Sequence, residues 1–380
     1  MMAEYRLARP DEESDILDFI NMVFSMHVQP HDFTRLLPKV YAHSGFSRYH
    51  YVAAENGHIR GTVALLPLNL RVEGDSFLKA GYIGSVSVHP YARGCGHMKA
   101  LMQMVLRDAE NQGYDLLVLG GRRQRYGYYG FEKGGTKLCF SVNNDNIHHA
   151  MADVDPDTVR IRLVEDPRDS VLDDIWHLSR RQMLTCERDR LRLPDIMHSW
   201  CSSLYVLEDT EQDGAFLGYL CVNDQQITEL ALTDERLLPN VLKAWMKGRT
   251  DCKIIVPMYR RVRASYLKSI AENYTISDAH MLHIINWQNT LQTLLTFKAG
   301  YQPICDGHFA FEVEGSGRYA IDVCNHEVSV RETQESPDVC FVRQRAVEFF
   351  FSPYTALMES SPLLKSILPL PFDIPSADAF

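Results

Sequence analysis

The chain has 380 residues, more than one hydrophobic core usually organises, so its length predicts two or three domains. Hydrophobic residues make up 46% of it and charged residues 23%, a balance that excludes a disordered chain. Its formal net charge of −10 provides no basic surface for a nucleic acid or an anionic membrane. We therefore expect neither of these among its partners.

The nine cysteines are scattered along the chain, and no two of them form a C-x-x-C pair. This spacing indicates neither a disulfide framework nor a zinc site, and we expect no metal. The first fifteen residues contain five carboxylates, which does not suit a secretory signal. No apolar run approaches the roughly 18 residues of a membrane span. We expect a cytoplasmic protein.

The first third of the chain predicts several strands, then a helix and one more strand. Asn56 and Gly57 form the dipeptide that most strongly favours a tight hairpin, and a second turn is predicted at residues 73–75. After Pro90 the apolar residues adopt helical spacing, which predicts a helix over residues 96–110. The predicted strands are 5–8, 49–54, 58–66, 81–88 and 115–119, with an opening helix after Pro10.

From about Pro156 the order of predicted elements begins again. The pattern predicts strands at 159–164 and 227–232, a hairpin at 205–222, and helices at 171–183 and 237–245. Where the first copy has a glycine-bearing turn, the second has Thr233, Asp234 and Glu235, whose carboxylates would repel a phosphate. We interpret this region as a degenerate, non-catalytic duplicate.

The remainder of the chain differs from both copies. It predicts helices at 287–298 and 345–351 and strands at 308–313 and 318–323. The recurring prolines between Leu368 and Pro375 exclude a helix, so we expect an extended tail that ends at Phe380. The sequence thus predicts a mixed α/β (α+β) fold with domains at 1–150, 156–285 and 286–380.

One turn has the composition of an anion site. Arg93, Gly94, Cys95 and Gly96 stand between a predicted strand and a predicted helix. Small residues let a ligand approach the backbone, the first helical N–H groups lack partners, and Arg93 adds positive charge. The turn therefore suits a pyrophosphate. The alternative is a surface turn whose glycines are incidental.

The residues around this turn resemble motif A of the GNAT superfamily of N-acetyltransferases, which reads Arg or Gln, two residues, Gly, one residue, Gly or Ala. Arg93 and Gly96 match, whereas Met98 departs from the last small position. Residues 126–131, Tyr-Gly-Tyr-Tyr-Gly-Phe, resemble the aromatic and glycine segment that closes the same fold. The resemblance implies binding of acetyl-CoA, with the backbone of Val86 and Val88 contacting its pantetheine arm.

The resemblance also implies a set of side chains for acetyl transfer to an amine. Such a reaction needs a proton for the departing thiolate, and a tyrosine such as Tyr126 can donate it. The alternative is that Tyr126 forms a packed aromatic cluster with Tyr128, Tyr129 and Phe131. The cofactor-binding residues implied are Val86, Ser87, Val88, Arg93, Gly94, Cys95, Gly96, His97, Met98, Lys99, Gly121 and Arg122.

The base is not evident from the residues, because the strand at 81–88 contains no carboxylate. His89 and water are two alternatives. The whole chain, with an active domain, a degenerate copy and a C-terminal domain similar to sterol carrier proteins, resembles the Eis (enhanced intracellular survival) family. In that family the C-terminal carboxylate, here that of Phe380, acts as base. A frayed, exposed terminus is the opposing interpretation.

The same resemblance implies a primary amine as acceptor, including polyamine-like or aminoglycoside-like polycations, and a closed homo-oligomer. Two other functions stay open at this point. One is a non-catalytic CoA-binding regulatory module. The other is a carrier of apolar ligands through its C-terminal domain.

Overall fold

The computed structural model describes residues 3–27, 29–73 and 76–380. Gly74 and Asp75, on which the second turn was predicted, lie outside the described residues. The chain divides into two compact units: the first comprises residues 1–134, 280–370 and 379–380, and the second comprises residues 135–279 and 371–378. The predicted division into three domains stays a prediction.

Seventeen strands and fourteen α-helices are formed by the described residues. The strands are β1 (Glu4–Leu7), β2 (His50–Glu55), β3 (His58–Val72), β4 (Ser76–Val88), β5 (Leu116–Leu119), β6 (Glu132–Asn143), β7 (Val159–Leu163), β8 (Leu184–Cys186), β9 (Ser203–Asp209), β10 (Phe216–Asn223), β11 (Gln226–Leu232), β12 (Asp251–Pro257), β13 (Asn273–Ile284), β14 (Gly307–Val313), β15 (Gly317–Cys324), β16 (Glu327–Glu332) and β17 (Val339–Phe341). The helices are α1 (Glu13–Ser25), α2 (Phe33–Leu36), α3 (Pro38–Tyr41), α4 (His97–Asn111), α5 (Arg123–Tyr126), α6 (Asn144–Ala150), α7 (Val171–Arg180), α8 (Leu193–Met197), α9 (Leu238–Met246), α10 (Arg261–Ile270), α11 (Trp287–Tyr301), α12 (Arg343–Phe351), α13 (Pro353–Met358) and α14 (Pro362–Ile367). None of these helices is long and apolar enough to cross a membrane.

In the first unit, β1 to β4 form an antiparallel meander. Asn56 and Gly57 make the tight turn between β2 and β3 with φ values of 53° and 78°, which confirms the predicted hairpin. The next strand, β5, pairs parallel with β4 and antiparallel with the end of β13. The mixed α/β class predicted from the sequence is confirmed.

The helix α4 covers this sheet. Its apolar face buries Leu101, Met102, Val105 and Ala109 against residues of β2 to β5. The spacing of these four residues predicted the helix within one residue at each end. The strand predicted at 81–88 begins earlier, at Ser76, because β3 continues to Val72 and offers partners to a half-exposed stretch that has no strong strand pattern of its own.

The first unit also contains residues 280–370. Here β16, β15, β14 and β17 form a four-stranded sheet in that order, next to an aromatic cluster that includes Phe311 and Phe350. The predicted helices and strands of this region are confirmed as α11, α12, β14 and β15. Its likeness to sterol carrier proteins stays a prediction.

In the second unit the strands follow the order β6, β12, β11, β10, β9, β7. The pair β11 and β12 is parallel, and its neighbours pair antiparallel. All predicted elements of this region form, except that α7 ends at Arg180 rather than at 183. The sequence analysis missed β6, α6, β8, α8, β12, α10 and β13. The acidic turn at residues 233–235 connects β11 to α9. Its Glu235 forms an ion pair with Arg263 at 2.7 Å.

The chain's last segment has no helix between residues 368 and 375, as its prolines predicted. The prediction of a wholly extended tail was wrong at its end, where Ser376–Asp378 forms a single 3-10 turn.

Candidate active site

The amino-terminus of α4 carries the turn that the sequence marked as an anion site. Gly94 and Gly96 adopt φ values of 83° and 85°, which side-chain-bearing residues rarely take. A Cβ atom placed on either glycine would meet nothing within 4 Å, so the space above the turn is open. The first N–H groups of α4 lack partners within the helix, and the helix dipole makes this end positive.

A cavity of about 530 Å³ opens over this turn. Arg93, Lys99 and Arg125 place three cationic side chains in its wall. The full lining is His27, Val86, Val88, Ala92, Arg93, Gly94, Gly96, His97, Met98, Lys99, Arg125 and Tyr129. A volume of this size, with a positive helix end and three cations, suits an elongated anionic ligand.

The edge of β4 forms the other side of the site. Its pairing with β5 runs from Ala80 to Ile83, and β5 ends at Leu119. Since β4 continues to Val88, its last residues extend past the end of β5. Val86 and Val88 of this extension line the cavity. The backbone of this extension is unpaired on the β5 side and faces the cavity, and its contact with a pantetheine arm stays a prediction.

The structure brings eight of the twelve predicted cofactor-binding residues to the cavity. The other four lie elsewhere among the described residues. Ser87 is buried, Cys95 and Arg122 are exposed, and Gly121 lies against the Tyr126 ring, with a Cβ built there only 2.3 Å from Cε2 of the tyrosine. Gly121 thus provides space for Tyr126.

The imidazole of His97 is directed to protein neighbours. Its Nδ1 lies 3.0 Å from Oη of Tyr5, and its Nε2 lies 3.5 Å from Oε1 of Glu55. With a side chain only 2% exposed, His97 supports the turn from below. His97 therefore lines the cavity with its backbone, at the start of α4.

Tyr126, the predicted acid, ends the short helix α5 and is buried. Burial raises the pKa of its phenol, and the neighbouring Arg125 opposes part of that increase. Tyr129, which lies in the cavity wall, has a pKa that burial also raises. Tyr126 is not among the described residues that line the cavity, but its two neighbours Arg125 and Tyr129 are.

Phe380, the last residue, is buried, with 8% of its surface exposed. Its ring fills the space that Gly84 of β4 leaves, since a Cβ on Gly84 would lie 2.4 Å from Cδ1 of the ring. The ring centroid is also 6.2 Å from that of Tyr41. Lys39 Nζ donates a hydrogen bond of 2.6 Å to the carbonyl oxygen of Ala379. This end of the chain is therefore held against β4, two residues before Val86.

His89, the alternative base, has a local structural role. Its Nδ1 accepts a hydrogen bond from the N–H of Tyr91 at 3.3 Å, and its ring stacks on Phe19. This arrangement caps the turn that follows β4.

Sequence reasoning missed four residues of the cavity wall: His27, Ala92, Arg125 and Tyr129. Tyr129 belongs to the aromatic segment 126–131 and Arg125 directly precedes it, so closeness to that segment was the available signal. His27 has no signal in the sequence, because it follows α1 and reaches the site only through the fold. Among the described residues no three His, Cys, Asp or Glu side chains are arranged to hold a metal ion.

Comparison with known proteins agrees with this geometry. Residues 4–134 match the model of the acetyltransferase (GNAT) domain. A search of curated proteins found no match.

Three solved structures resemble the chain over its full length. A conserved protein of unknown function from Enterococcus faecalis V583, described as a probable N-acyltransferase, is 14% identical, with a TM-score of 0.70 and 100% of both chains covered. A GCN5-related N-acetyltransferase from Anabaena variabilis is 16% identical, also with a TM-score of 0.70 and full coverage of both chains. Eis1 from Mycobacterium abscessus is 14% identical, with a TM-score of 0.68, 99% of this chain and 100% of that chain covered. Residues 4–134 therefore match a GNAT acetyltransferase domain, within a chain that has the fold of these three structures.

Proposed function

We propose that this chain is an acetyl-CoA-dependent N-acetyltransferase that acts on a primary amine. The observation that carries the proposal is the cavity between the amino-terminus of α4 and the end of β4, with Arg93, Lys99 and Arg125 in its wall. Acetyl-CoA supplies the activated acetyl group as a thioester. Its pyrophosphate suits the open backbone above Gly94 and Gly96, and its pantetheine arm suits the edge of β4.

The chain's own residues would move two protons during transfer. As the amine nitrogen forms its bond to the acetyl carbon, the carbon–sulfur bond breaks, and Tyr126 gives its proton to the sulfur. Its position next to Arg125 and Tyr129 of the cavity wall supports this role, and a phenol is protonated at neutral pH. The C-terminal carboxylate of Phe380 takes the proton that the amine loses, directly or through water. The packing of the Phe380 ring against Gly84 of β4, which keeps the end of the chain at this strand, supports this assignment.

For the acceptor we propose a small cationic amine, of the polyamine or aminoglycoside type. The net charge of −10 favours the approach of a polycation over that of an anion. We also propose that the chain assembles into a homo-oligomer, and sedimentation of the purified protein would measure its size.

Two other functions compete with this one. The first is a CoA-binding regulatory module without turnover, and the second is a carrier of apolar ligands through residues 286–380. The position of Tyr126 next to Arg125 and Tyr129 of the cavity wall, and of Phe380 beside β4, favours transfer over simple binding. Acetylation of an amine by the purified protein separates the enzyme from both alternatives.

The first test is acetyl-CoA binding by calorimetry, with the untagged protein and with Arg93→Ala. We expect clear binding to the former and weaker binding to the variant, because one phosphate-facing cation is lost; a charge-assisted contact of about 1.5–3 kcal/mol predicts a roughly 10- to 150-fold change in Kd. Arg71→Ala is a matched control, since Arg71 lies on β3 outside the cavity wall. Absence of binding to the untagged protein would refute the proposed function.

The second test concerns chemistry and uses Tyr126→Phe, which removes the phenolic hydroxyl and keeps the ring. We expect acetyl-CoA binding to persist and kcat to fall by about 10²- to 10⁴-fold, the usual contribution of a general acid. Tyr128→Phe, in which an 89% exposed ring loses its hydroxyl, should keep the wild-type kcat. Unchanged turnover in Tyr126→Phe would remove this residue from the acid role.

A further inference from the structure

The strand β4 contains a bulge just where it enters the cavity. Thr62 of β3 pairs with Ser87 and Ala64 pairs with Gly84, so that Ser85 and Val86 stand opposite the single residue between. A bulge leaves one residue unpaired in the ladder and turns the strand locally. Val86, which follows Ser85, is already part of the cavity wall.

Ser85 holds an unusual backbone conformation at this point. Its φ is 49°, in the left-handed region that favours glycine over residues with a side chain. Such a conformation persists in a folded protein only when neighbouring contacts hold it. Ser85 is buried, with 6% of its surface exposed, so the holding contacts must come from the protein interior.

A chain of buried hydrogen bonds ends on this serine. Ser85 Oγ lies 2.6 Å from Tyr41 Oη, and the same oxygen of Tyr41 lies 3.2 Å from His50 Nε2. The other ring nitrogen, His50 Nδ1, lies 3.0 Å from Thr62 Oγ1. All four side chains are at most 6% exposed. The chain begins on β3 and ends on β4, and so connects the two strands on either side of the bulge.

His50 can join the two halves of this chain because its ring is neutral. Burial lowers the pKa of the imidazole to about 3, so the ring is neutral and has one donor and one acceptor nitrogen. Either nitrogen can be the donor, and in both cases the hydroxyls of Thr62, Tyr41 and Ser85 complete a continuous series of hydrogen bonds. No member of the chain is left without a partner, which makes the series a stable support.

We infer that Tyr41 and His50 are positioning residues. Their buried hydrogen-bond chain holds Ser85 in its left-handed conformation. It thereby orients the β4 backbone that receives the acetyl-CoA thioester. The inference rests on the proposed function for its catalytic consequence. Phe380 adds to the support, because its ring packs on Gly84 beside the bulge and lies near Tyr41.

The test compares Ser85→Ala with Ser85→Gly. Both variants lose the hydroxyl that Tyr41 holds, but glycine adopts a positive φ without steric cost, whereas alanine does not. We expect Ser85→Ala to lower kcat/KM by roughly 10- to 100-fold, as misplacement near 1 Å does. Ser85→Gly should lower kcat/KM far less. Equal losses in the two variants would overturn the inference and indicate that the hydroxyl itself reacts or relays a proton.

The same comparison is repeated in the Tyr41→Phe background, where the ring stays and only its hydroxyl is removed. We expect Tyr41→Phe to lower kcat/KM, and the added Ser85→Gly substitution to restore most of the loss. Tyr354→Phe, at a 66% exposed position, is the control for a tyrosine hydroxyl removed from the surface. Failure of glycine to restore kcat/KM would contradict the positioning role.

Hydrogen exchange of the amides at residues 84–88, in protein without ligand, gives a readout that needs no catalysis. Exchange should be faster in Ser85→Ala and Tyr41→Phe than in wild type, and unchanged exchange would overturn the inference. If wild type fails to bind acetyl-CoA while these exchange rates change as expected, the proposed function fails and the support of the bulge stands.

Discussion

At the scale of single residues, the C-terminal Phe380 depends on one glycine. A Cβ on Gly84 would lie between 2.4 and 2.7 Å from three atoms of the Phe380 ring, distances that real side chains essentially never show. Gly84 therefore provides the space in which the last residue of the chain can lie against β4. This gives Gly84 a packing role, in contrast to Gly94 and Gly96, whose role is conformational.

Gly84→Ala tests whether turnover needs Phe380 in its position against β4. The added methyl group must displace the Phe380 ring, so we expect kcat to fall by about 10- to 100-fold. Gly300→Ala is the matched control, because a Cβ there meets nothing within 4 Å. An extra glycine added after Phe380, which moves the terminal carboxylate and leaves the ring, should cause a similar loss. Wild-type turnover in both variants would contradict the role of the terminal carboxylate as base.

At the scale of elements, the two strand-to-helix connections differ in charge. In the first unit the turn between β4 and α4 has two glycines with open space above them. In the second unit the turn between β11 and α9 carries Asp234, which binds Arg236, and Glu235, which binds Arg263. The carboxylates of the second turn are thus paired within the protein. This supports the interpretation of the second unit as a non-catalytic duplicate.

The second unit also contains a buried ionic cluster that joins three of its segments. Arg188, with a side chain 1% exposed, binds Glu229 of β11 and Asp378 of the Ser376–Asp378 turn, each at 2.7 Å. Burial disfavours the charge of Arg188, but the two carboxylates outweigh it and raise the pKa of the guanidinium. Tyr219 donates a further hydrogen bond to Glu229. The cluster fastens the turn at Asp378 to β11.

We expect Arg188→Met to destabilise the second unit by about 3–5 kcal/mol, because two buried carboxylates lose their counter-charge. Urea unfolding followed by circular dichroism measures the change. Arg190→Met is the control: Arg190 pairs with an Asp173 side chain that is 63% exposed, and such surface pairs contribute at most about 1 kcal/mol. Equal effects of the two substitutions would show that the cluster does not stabilise the unit.

At the scale of the whole molecule, the stability should depend on pH in the acidic range. Burial lowers the pKa values of His50 and His283 to about 3, and both belong to the first unit. An unfolded histidine titrates near 6.5, so between pH 6.5 and pH 3 the unfolded chain binds more protons than the folded one. The stability that these groups contribute is complete above pH 6.5 and is lost as the pH falls toward 3.

From pH 7 to pH 5 we expect a loss of about 2 kcal/mol for each of these two histidines, from the difference between their folded and unfolded pKa values. Urea unfolding at both pH values measures it. His308 provides a control of opposite sign, because a hydrogen bond to Asp322 raises its pKa. Its contribution is present at low pH and lost as the pH rises, so His308→Gln should make the loss at pH 5 larger. A stability that does not change between pH 7 and pH 5 would contradict the assignment.

Much of the local structure could be predicted from the sequence, because its causes lie within a few residues. The Asn56–Gly57 turn follows from the backbone freedom of those two residues, and the helix α4 from the spacing of its apolar side chains. The turn at Arg93 to Gly96, proposed as an anion site, was visible for the same reason, since its glycines and its cation adjoin the start of a helix.

Other features depend on contacts between residues that are far apart in the chain, and only the tertiary structure decided them. No pattern near Ser85 indicates a bulge, because Tyr41 and His50 hold it from other elements. The strand β13 gains its place from pairing with β5, more than 150 residues earlier. The place of Phe380 beside Gly84 likewise comes from packing, since a chain end has no local preference that would direct it there. The sequence by itself determined the glycine-bearing turn at the start of α4, because its cause is local, and the fold decided which side chains surround it.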